Sequence, residues 1–535
     1  MTQKVRMSLV LLVTIIAFSS FSGCAKKEGE DPSNDDGKQT QATDNQRNKK
    51  GEKEEDEPIT FTYWVPVHTS SVKVIKDFSE NEAYKEVMKQ TYINLKFIHP
   101  ALGQEKDQFQ LLFVSHDLPD LIQHNGQTYP GGPDKAIEEG VYLKLNDLID
   151  KHAPNYKKLR ESDDEVRKLT ATDEGNIWAF MKINGVQETA WRGPIVRKDL
   201  LDKAGLPIPV TIDDWYATLK AFKDMGLKAP LLFPKSGKTP ESQFTSAFGI
   251  ANEFYQEDGV VKYGPIEPGY KDYLATISKW YKEGLIDKDF PTRDQDANDS
   301  LVVANDTGAW IGAPDTGINP YMLLKKDEDP EFVLAGAPYP VLKEGGQLKI
   351  GQKIWAAGGS EVAVTKACKY PEKAVEFMDF GYSEEGSRIF NYGIEGVSYE
   401  MKDGEPVFTD LMTNNPDNID FYTLAWKYKL HEGPYLRDWT AIPPLSETEK
   451  QAREAWKPTG TENNYPKVSH TSEETKELSS IQSDLDTYKD EMIMNFILGE
   501  EPLSNYDDFV EQLKSLGVER MIAIKQDALD RYNAK

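Results

Sequence analysis

The sequence predicts an α/β fold built as two lobes. Three observations carry that expectation. Strand and helix patterns alternate from residue 59, a second alternation opens near residue 195, and more than 470 residues follow a polar N-terminal stretch. That length is too great for one ordinary hydrophobic core. Residues 59–65 (ITFTYWV) alternate and are rich in strand formers, which predicts the first strand. A helix is expected from about residue 77 to 90, a strand over 93–98 (INLKFI), a helix through 109–114 (FQLLFV) and a short buried strand over 118–122 (LPDLI). Strand, helix, strand, helix, strand is the order that builds a parallel sheet. Ligands of such open sheets sit beyond the carboxyl ends of the strands. His68, just after the first strand, and Asn125, just after the third, therefore become candidate contacts.

Residues 195–201 (IVRKDLL) open the second α/β region. Thr211, with Asp214 three residues on, makes a capping signal before the amphipathic stretch TIDDWYATLKAFKDM. Residues 273–285 (YLATISKWYKEGL) predict a second amphipathic helix, and the C-terminal third is expected to be mostly helical. Trp215 and Trp280 lie on these helices and are read as core residues. No repeat of fixed short period is present, which excludes solenoids and propellers.

The N-terminal segment concerns export. Lys4 and Arg6 precede the apolar run 9–18 (LVLLVTIIAF), and Ser22-Gly23-Cys24 follows. Basic residues, a short apolar core and small residues are the layout of a secretory signal peptide over 1–23. The run is shorter than the roughly 20 apolar residues a membrane span needs. Cys24 resembles the acylated cysteine of the bacterial lipoprotein lipobox, although Phe21 stands where that pattern usually has Leu. Residues 25–57 contain no aromatic or branched aliphatic side chain. Such a segment cannot offset its ordering entropy and is expected to be a disordered tether.

Composition narrows the function. The formal net charge is −26, which argues against nucleic acid, because phosphate binding needs a basic face. Cys24 and Cys368 are the two cysteines. With Cys24 lipidated no internal disulfide is available, which suits the outer face of a Gram-positive cell membrane. Cys368 is read as a small buried hydrophobe. There is no G-x-S-x-G elbow, no H-E-x-x-H pair, and the Gly-rich stretch 126–135 does not fit a P-loop. An exported glycoside hydrolase is the sharpest enzymatic alternative, since two carboxylates roughly 5–10 Å apart would suffice. Nothing positive in the sequence supports it.

Five blocks, in order, carry a family resemblance: 142–155 (YLKLNDLIDKHAPN), 197–224, 263–290, 371–410 and the ending DALDRYNAK. Together they resemble extracellular solute-binding proteins of family 1, specifically the large lipoprotein subunits of carbohydrate ABC importers from Bacillus and Paenibacillus relatives. The resemblance implies a type II periplasmic-binding-protein-like fold, with two hinge-linked α/β lobes and a sugar in the cleft between them. It also implies ABC transporter permease subunits as partners, a lipid anchor on Cys24, no enzymatic activity and no cofactor; a monomer is expected. The expected divisions are 24–57 tether, 58–190 first part of lobe 1, 191–354 first part of lobe 2, 355–440 return to lobe 1, and 441–535 helical and mainly lobe 2. Many relatives with oligosaccharide ligands carry a calcium loop after the helix corresponding to 211–222. The segment here, KDMGLKAPLLFP, has no ligand series. Residues 294–298 (DQDAN) alternate oxygens but lack the turn glycine and distal Glu of an EF-type loop. No metal is therefore expected.

Sugar sites combine aromatic faces with polar side chains that meet hydroxyls. Trp191 and Arg192 stand at the apparent crossing into the second lobe, and Trp355 near the return. Trp310 is followed by glycines and Asp315, Trp64 ends the first strand, and Trp439 follows Arg437-Asp438. With Asn125 and His68 these are the candidate ligand contacts. The alternative for each tryptophan is core or hinge packing, and Arg192 could equally form a hinge salt bridge. A peptide or another polar solute is the alternative ligand, because a two-lobed fold does not choose among solutes.

Overall fold

The computed structural model describes residues 58–115, 117–124, 129–185, 190–235, 244–417, 419–457 and 460–535. Cys24, the tether and Asn125 lie outside them. The strands are β1 (Ile59–Trp64), β2 (Ile93–Ile98), β3 (Leu121–His124), β4 (Ala179–Asn184), β5 (Gly193–Arg197), β6 (Ala229–Leu231), β7 (Phe254–Glu257), β8 (Val260–Tyr263), β9 (Thr307–Gly312), β10 (Leu334–Gly336), β11 (Ala357–Val364), β12 (Tyr399–Lys402), β13 (Glu405–Phe408) and β14 (Leu436–Arg437). One sheet has the order β14-β4-β11-β3-β1-β2 and another β10-β5-β9-β6. These two sheets are the centres of the two lobes.

In the first lobe β1 runs parallel to both β2 and β3, the arrangement the alternation over 59–122 predicts. Parallel neighbours need a crossover, and the helix Glu82–Thr91 supplies the first one. Asn81 caps it by accepting from the Tyr84 N–H, and Ala83, Tyr84 and Val87 turn inward. They join Phe61, Tyr63 and Val65 in one core, which also takes in Cys368. Burial pushes the Cys368 thiol up to about 11, so it packs as an apolar group. β11 then inserts antiparallel between β3 and β4, and β14 adds parallel to β4 at the edge. The β11–β4 register breaks between Ala357 and Glu361, where Gly358 and Gly359 both have positive φ. That is a bulge, a device that often re-aims side chains near a site.

In the second lobe β5 pairs antiparallel with β9 and β10, and β6 runs parallel to β9. The capping box at Thr211 and Asp214 forms as read, opening the helix Ile212–Asp224. Trp215 on that helix and Trp280 on Pro268–Lys282 are both buried in the lobe's main core. Asp294 caps the helix Gln295–Val303 through the Ala297 N–H, so its carboxylate has a structural task.

The chain passes between the sheets three times: between β4 and β5, between β10 and β11, and after β14. The third passage ends in the helix Glu447–Trp456, opened by a capping box of Ser446 and Glu449. This helix seats on the second sheet. A Cβ on Gly336 would stand 2.4 Å from the Cα of Ala452, and one on Gly193 would meet the Trp456 ring at 2.3 Å. The Trp456 indole N–H donates to the Pro194 carbonyl at 2.9 Å. The chain end returns to the first lobe, where Ser469, Arg531 and Lys535 converge on Asp173 at 2.6, 2.6 and 2.9 Å. Burial opposes ionisation of Asp173, but these bonds win and hold it below the ordinary carboxylate range. No described helix is long and apolar enough to cross a membrane.

Candidate functional site

Each passage between the lobes carries one tryptophan with a cation on its face. Arg192 lies over Trp191 at 5.3 Å, Lys353 over Trp355 at 4.2 Å and Arg437 over Trp439 at 4.1 Å. Two buried amides tie the passages together. Asn184, at the end of β4, donates to the Trp355 carbonyl at 2.7 Å and accepts from the Trp439 indole N–H at 3.1 Å. Gln352 accepts from the Trp191 N–H at 2.9 Å and donates to the Arg192 carbonyl and the Tyr339 hydroxyl at 2.9 and 2.7 Å. A single side chain thus joins all three passages at Asn184. Asn184→Ala takes the partner from two partly buried polar groups, each worth up to about 1–3 kcal/mol. The expected outcome is a loss of that size in urea unfolding, with secondary structure retained.

The lobes also face each other at Tyr422, on the helix Phe421–Tyr428. Burial raises its phenol above the ordinary value, and the carboxylate of Asp315 adds to this while Arg453 opposes it. Asp315 stands in the single π turn Pro314–Ile318 after β9, a form common at functional sites. Burial also pushes Asp315 above the ordinary carboxylate range, against its own N–H and the charge of Arg453. On the same face, the exposed His68 stacks on Trp426 at 5.3 Å and 7°. Trp426 stacks in turn on His431 at 4.7 Å.

Beneath these groups lies a concentration of positive charge. Arg437 pairs with Asn184 in the β14–β4 register, so Arg437, Asn184 and Lys182 project from one face. Burial, then Arg437, brings Lys182 down to about 8, although Glu432 and Glu361 act the other way. Lys429, buried and beside Arg437, is pushed well below the ordinary lysine range; its Nζ donates to the Ala441 carbonyl at 2.8 Å. Burial, Lys429 and Arg437 hold His431 neutral, well below the ordinary imidazole value.

This neutral histidine gives a pH expectation. Burial also lowers His470, to about 4. Both folded values lie below the unfolded one, so the unfolded chain binds more protons once pH falls past about 6.5. Their stabilisation is complete above that value and is lost below it, by at most about 1.4 kcal/mol per pH unit for each. The melting temperature is expected to fall between about pH 7 and pH 5, and His431→Gln to flatten part of that slope.

The sequence-derived candidates divide. Trp191, Arg192, Trp355 and Trp439 gather at the passages, and Asp315 and His68 border them. Trp64 and Trp310 do not join them. Trp64 is 2 % exposed and packs on Phe109 at 5.7 Å inside the first lobe. Trp310 is 6 % exposed, set edge-on to Tyr321, with its indole N–H given to the Gly317 carbonyl at 3.2 Å. Both expectations are corrected: Trp64 and Trp310 are each enclosed in an apolar cluster of their own lobe, so these rings are core. Arg192 makes no ion pair with a described residue; its Nη2 reaches the Ile311 carbonyl at 3.5 Å. The salt-bridge alternative does not hold within the described structure. Among the described residues no group of three His, Cys, Asp or Glu side chains could hold a metal ion.

The sequence pattern of the family described as bacterial extracellular solute-binding protein matches residues 73–388, more than half of the chain. The chain belongs to that family.

Relatives place the solute-binding chain further. It is 25 % identical over 470 residues to Lipoprotein LipO of Bacillus subtilis, covering 82 % of this chain and 86 % of that one. It is 24 % identical over 499 residues to the fructooligosaccharide ABC transporter substrate-binding protein FusA of Streptococcus pneumoniae, covering 86 % and 88 %. Among solved structures, the alginate-binding protein AlgQ2 without calcium ion superposes with a TM-score of 0.70 at 26 % identity, covering 89 % of this chain and 98 % of that chain. The two-lobed type II fold is thus shared, and FusA and AlgQ2 are by name binding proteins for fructooligosaccharide and alginate.

Sequence reading missed Tyr422, Trp426, His431, Lys182, Asn184 and Gln352. The stretch FYTLAWKYKLH reads as an amphipathic helix with a core stripe. Its half-buried Tyr422 and Trp426 become visible only once the helix lies across the mouth of the first sheet.

Proposed function

We propose that this solute-binding protein is a lipid-anchored receptor that captures an oligosaccharide between its lobes and delivers it to an ABC transporter permease. The observation that carries the reading is the set of three indoles, one on each passage, beside polar and charged side chains. Sugar rings offer apolar faces to such indoles and hydroxyls to the amides and charges around them. Trp191 is 41 % exposed, and Trp355 and Trp439 are half-buried, so all three residues retain accessible surface. FusA and AlgQ2, named for fructooligosaccharide and alginate, support an oligosaccharide rather than a peptide. The signal-peptide layout and Cys24 support the anchor.

No chemistry is required of the protein. A ligand that touches both lobes favours their closed arrangement only by binding it more tightly than the open one. A ligand reaching Tyr422 on one side and Asp315 on the other would make such two-sided contacts. The test is a thermal-shift screen of the folded body against mono-, oligosaccharides and peptides, with recovered ligand checked for cleavage. A ligand at about a hundred times its dissociation constant adds roughly 2.7 kcal/mol. An oligosaccharide that stabilises the protein and is recovered intact is the expected result. Stabilisation by peptides alone, or cleaved sugar, contradicts the proposal.

A further inference from the structure

We infer that the oligosaccharide taken by this site carries a carboxylate, as a uronic acid does, and that Arg437 and Lys182 receive it. The inference rests on the oligosaccharide reading and narrows its substrate class. The chain as a whole is strongly acidic, with a net charge of −26, yet the site brings half-buried Lys182 and Arg437 together, with Lys429 buried beside Arg437 and the exposed Lys467 near Lys182. Burying like charges together is costly unless something of opposite sign answers them.

Among the described residues Glu361, Glu432 and Asp438 answer part of it from a distance, but not through an ion pair to Arg437 or Lys182. No carboxylate of a described residue lies within 4.0 Å of Arg437 or Lys182, whereas Lys353 nearby is paired with Glu165 at 2.8 Å. Arg437 spends Nη1 on the His431 carbonyl at 3.2 Å, and its buried Nε has no partner. Its guanidinium stays planar against the Trp439 ring at 4.1 Å, which leaves a fixed fork of donors, the geometry that suits a carboxylate. Glu361 and Glu432 offset part of the charge on Lys182, but neither forms an ion pair with it, and Glu361 Oε1 accepts from the Gly359 N–H at 2.9 Å. The bulge makes room for the second cation. A Cβ on Gly358 would lie 3.6 Å from Lys467 Nζ, and one on Gly359 would lie 3.9 Å from Lys182 Nζ. Trp439 and Trp355, joined through Asn184, stand beside this charge, so a ring stacked there would bring a C6 carboxylate towards Arg437.

The experiment is calorimetric titration of the folded protein with trimers of galacturonate, mannuronate and guluronate, each beside its carboxyl-reduced counterpart. One uronate trimer is expected to bind at least roughly tenfold more tightly than its reduced form. That preference is expected to shrink from about 0.05 to 0.5 M salt, and to disappear in Arg437→Gln and fall in Lys182→Met. Should Arg437→Gln fail to fold, Lys182→Met and the reduced sugars carry the test. Binding of neutral oligosaccharides with equal or greater affinity, or a preference untouched by both variants, overturns the inference while the oligosaccharide reading stands. Failure of every sugar, charged or neutral, overturns both.

Discussion

Trp191→Ala is expected to weaken oligosaccharide binding by at least roughly tenfold, about 1.4 kcal/mol, while stability stays within about 0.5 kcal/mol of the parent. The contrast follows from position. Trp191 is the most exposed of the three passage tryptophans, and its contribution to the fold is a backbone N–H held by Gln352. Alanine keeps that bond and removes the ring face that a sugar would meet. Titration followed by calorimetry, with chemical unfolding of the same preparation, checks both halves. Unchanged affinity would remove Trp191 from the site, and a large loss of stability would make it a packing residue.

Trp456→Ala is expected to have the opposite signature, a loss of about 3–5 kcal/mol in stability. Its ring is buried in the second lobe against Gly193, in the same cluster as Ala452 and Trp310, and its N–H is spent on Pro194. Removing it leaves a cavity where the helix Glu447–Trp456 seats on β5 and β10, and takes one of two donors from the Pro194 carbonyl, which keeps the Ala337 N–H at 2.9 Å. Gly193→Ala attacks the same seat from the other side, because the added carbon and the Trp456 ring cannot both be accommodated. Urea unfolding of the two variants is expected to show comparable, large losses. A loss below about 1 kcal/mol in Trp456→Ala, the size of an ordinary substitution, would mean the helix is not anchored there.

The α/β character of both lobes was legible in period and punctuation. Residues 59–65 alternate because β1 is a strand, and Thr211 with Asp214 marks a helix start that the chain uses as written. Trp215 and Trp280 could be assigned to the core because amphipathic spacing says which way a helical side chain points. The same reasoning failed at Trp310. The stretch TGAWIGAPDTG reads as a glycine-rich loop, but Gly308 is there so that Phe222 can approach; a Cβ would stand 2.2 Å from its ring. Glycine as a packing device and glycine as a loop residue look alike without a partner in view.

The site divides along the same line. The position of Trp191, Trp355 and Trp439 at the passages was legible because each falls in polar, Gly- or Pro-rich sequence between strong elements. Lys182 was not, since it sits inside a strand whose neighbours Met181 and Ile183 read as core. Its importance arises from Arg437, 255 residues away in sequence and adjacent only through the β4–β14 pairing. Asn184 was invisible for the same reason, its partners Trp355 and Trp439 lying on two other passages. Tertiary pairing of distant segments is what a single sequence without periodic signal does not display.

The most direct test of the central claim is a calorimetric titration of the folded body with a graded series of oligosaccharides, carried out on the parent and on Trp191→Ala. Saturable one-to-one binding of an oligosaccharide, weakened in the variant without loss of fold, is the predicted result. Binding of peptides but of no sugar, or sugar binding that the variant leaves unchanged, would contradict the assignment of an oligosaccharide site at the passages between the lobes.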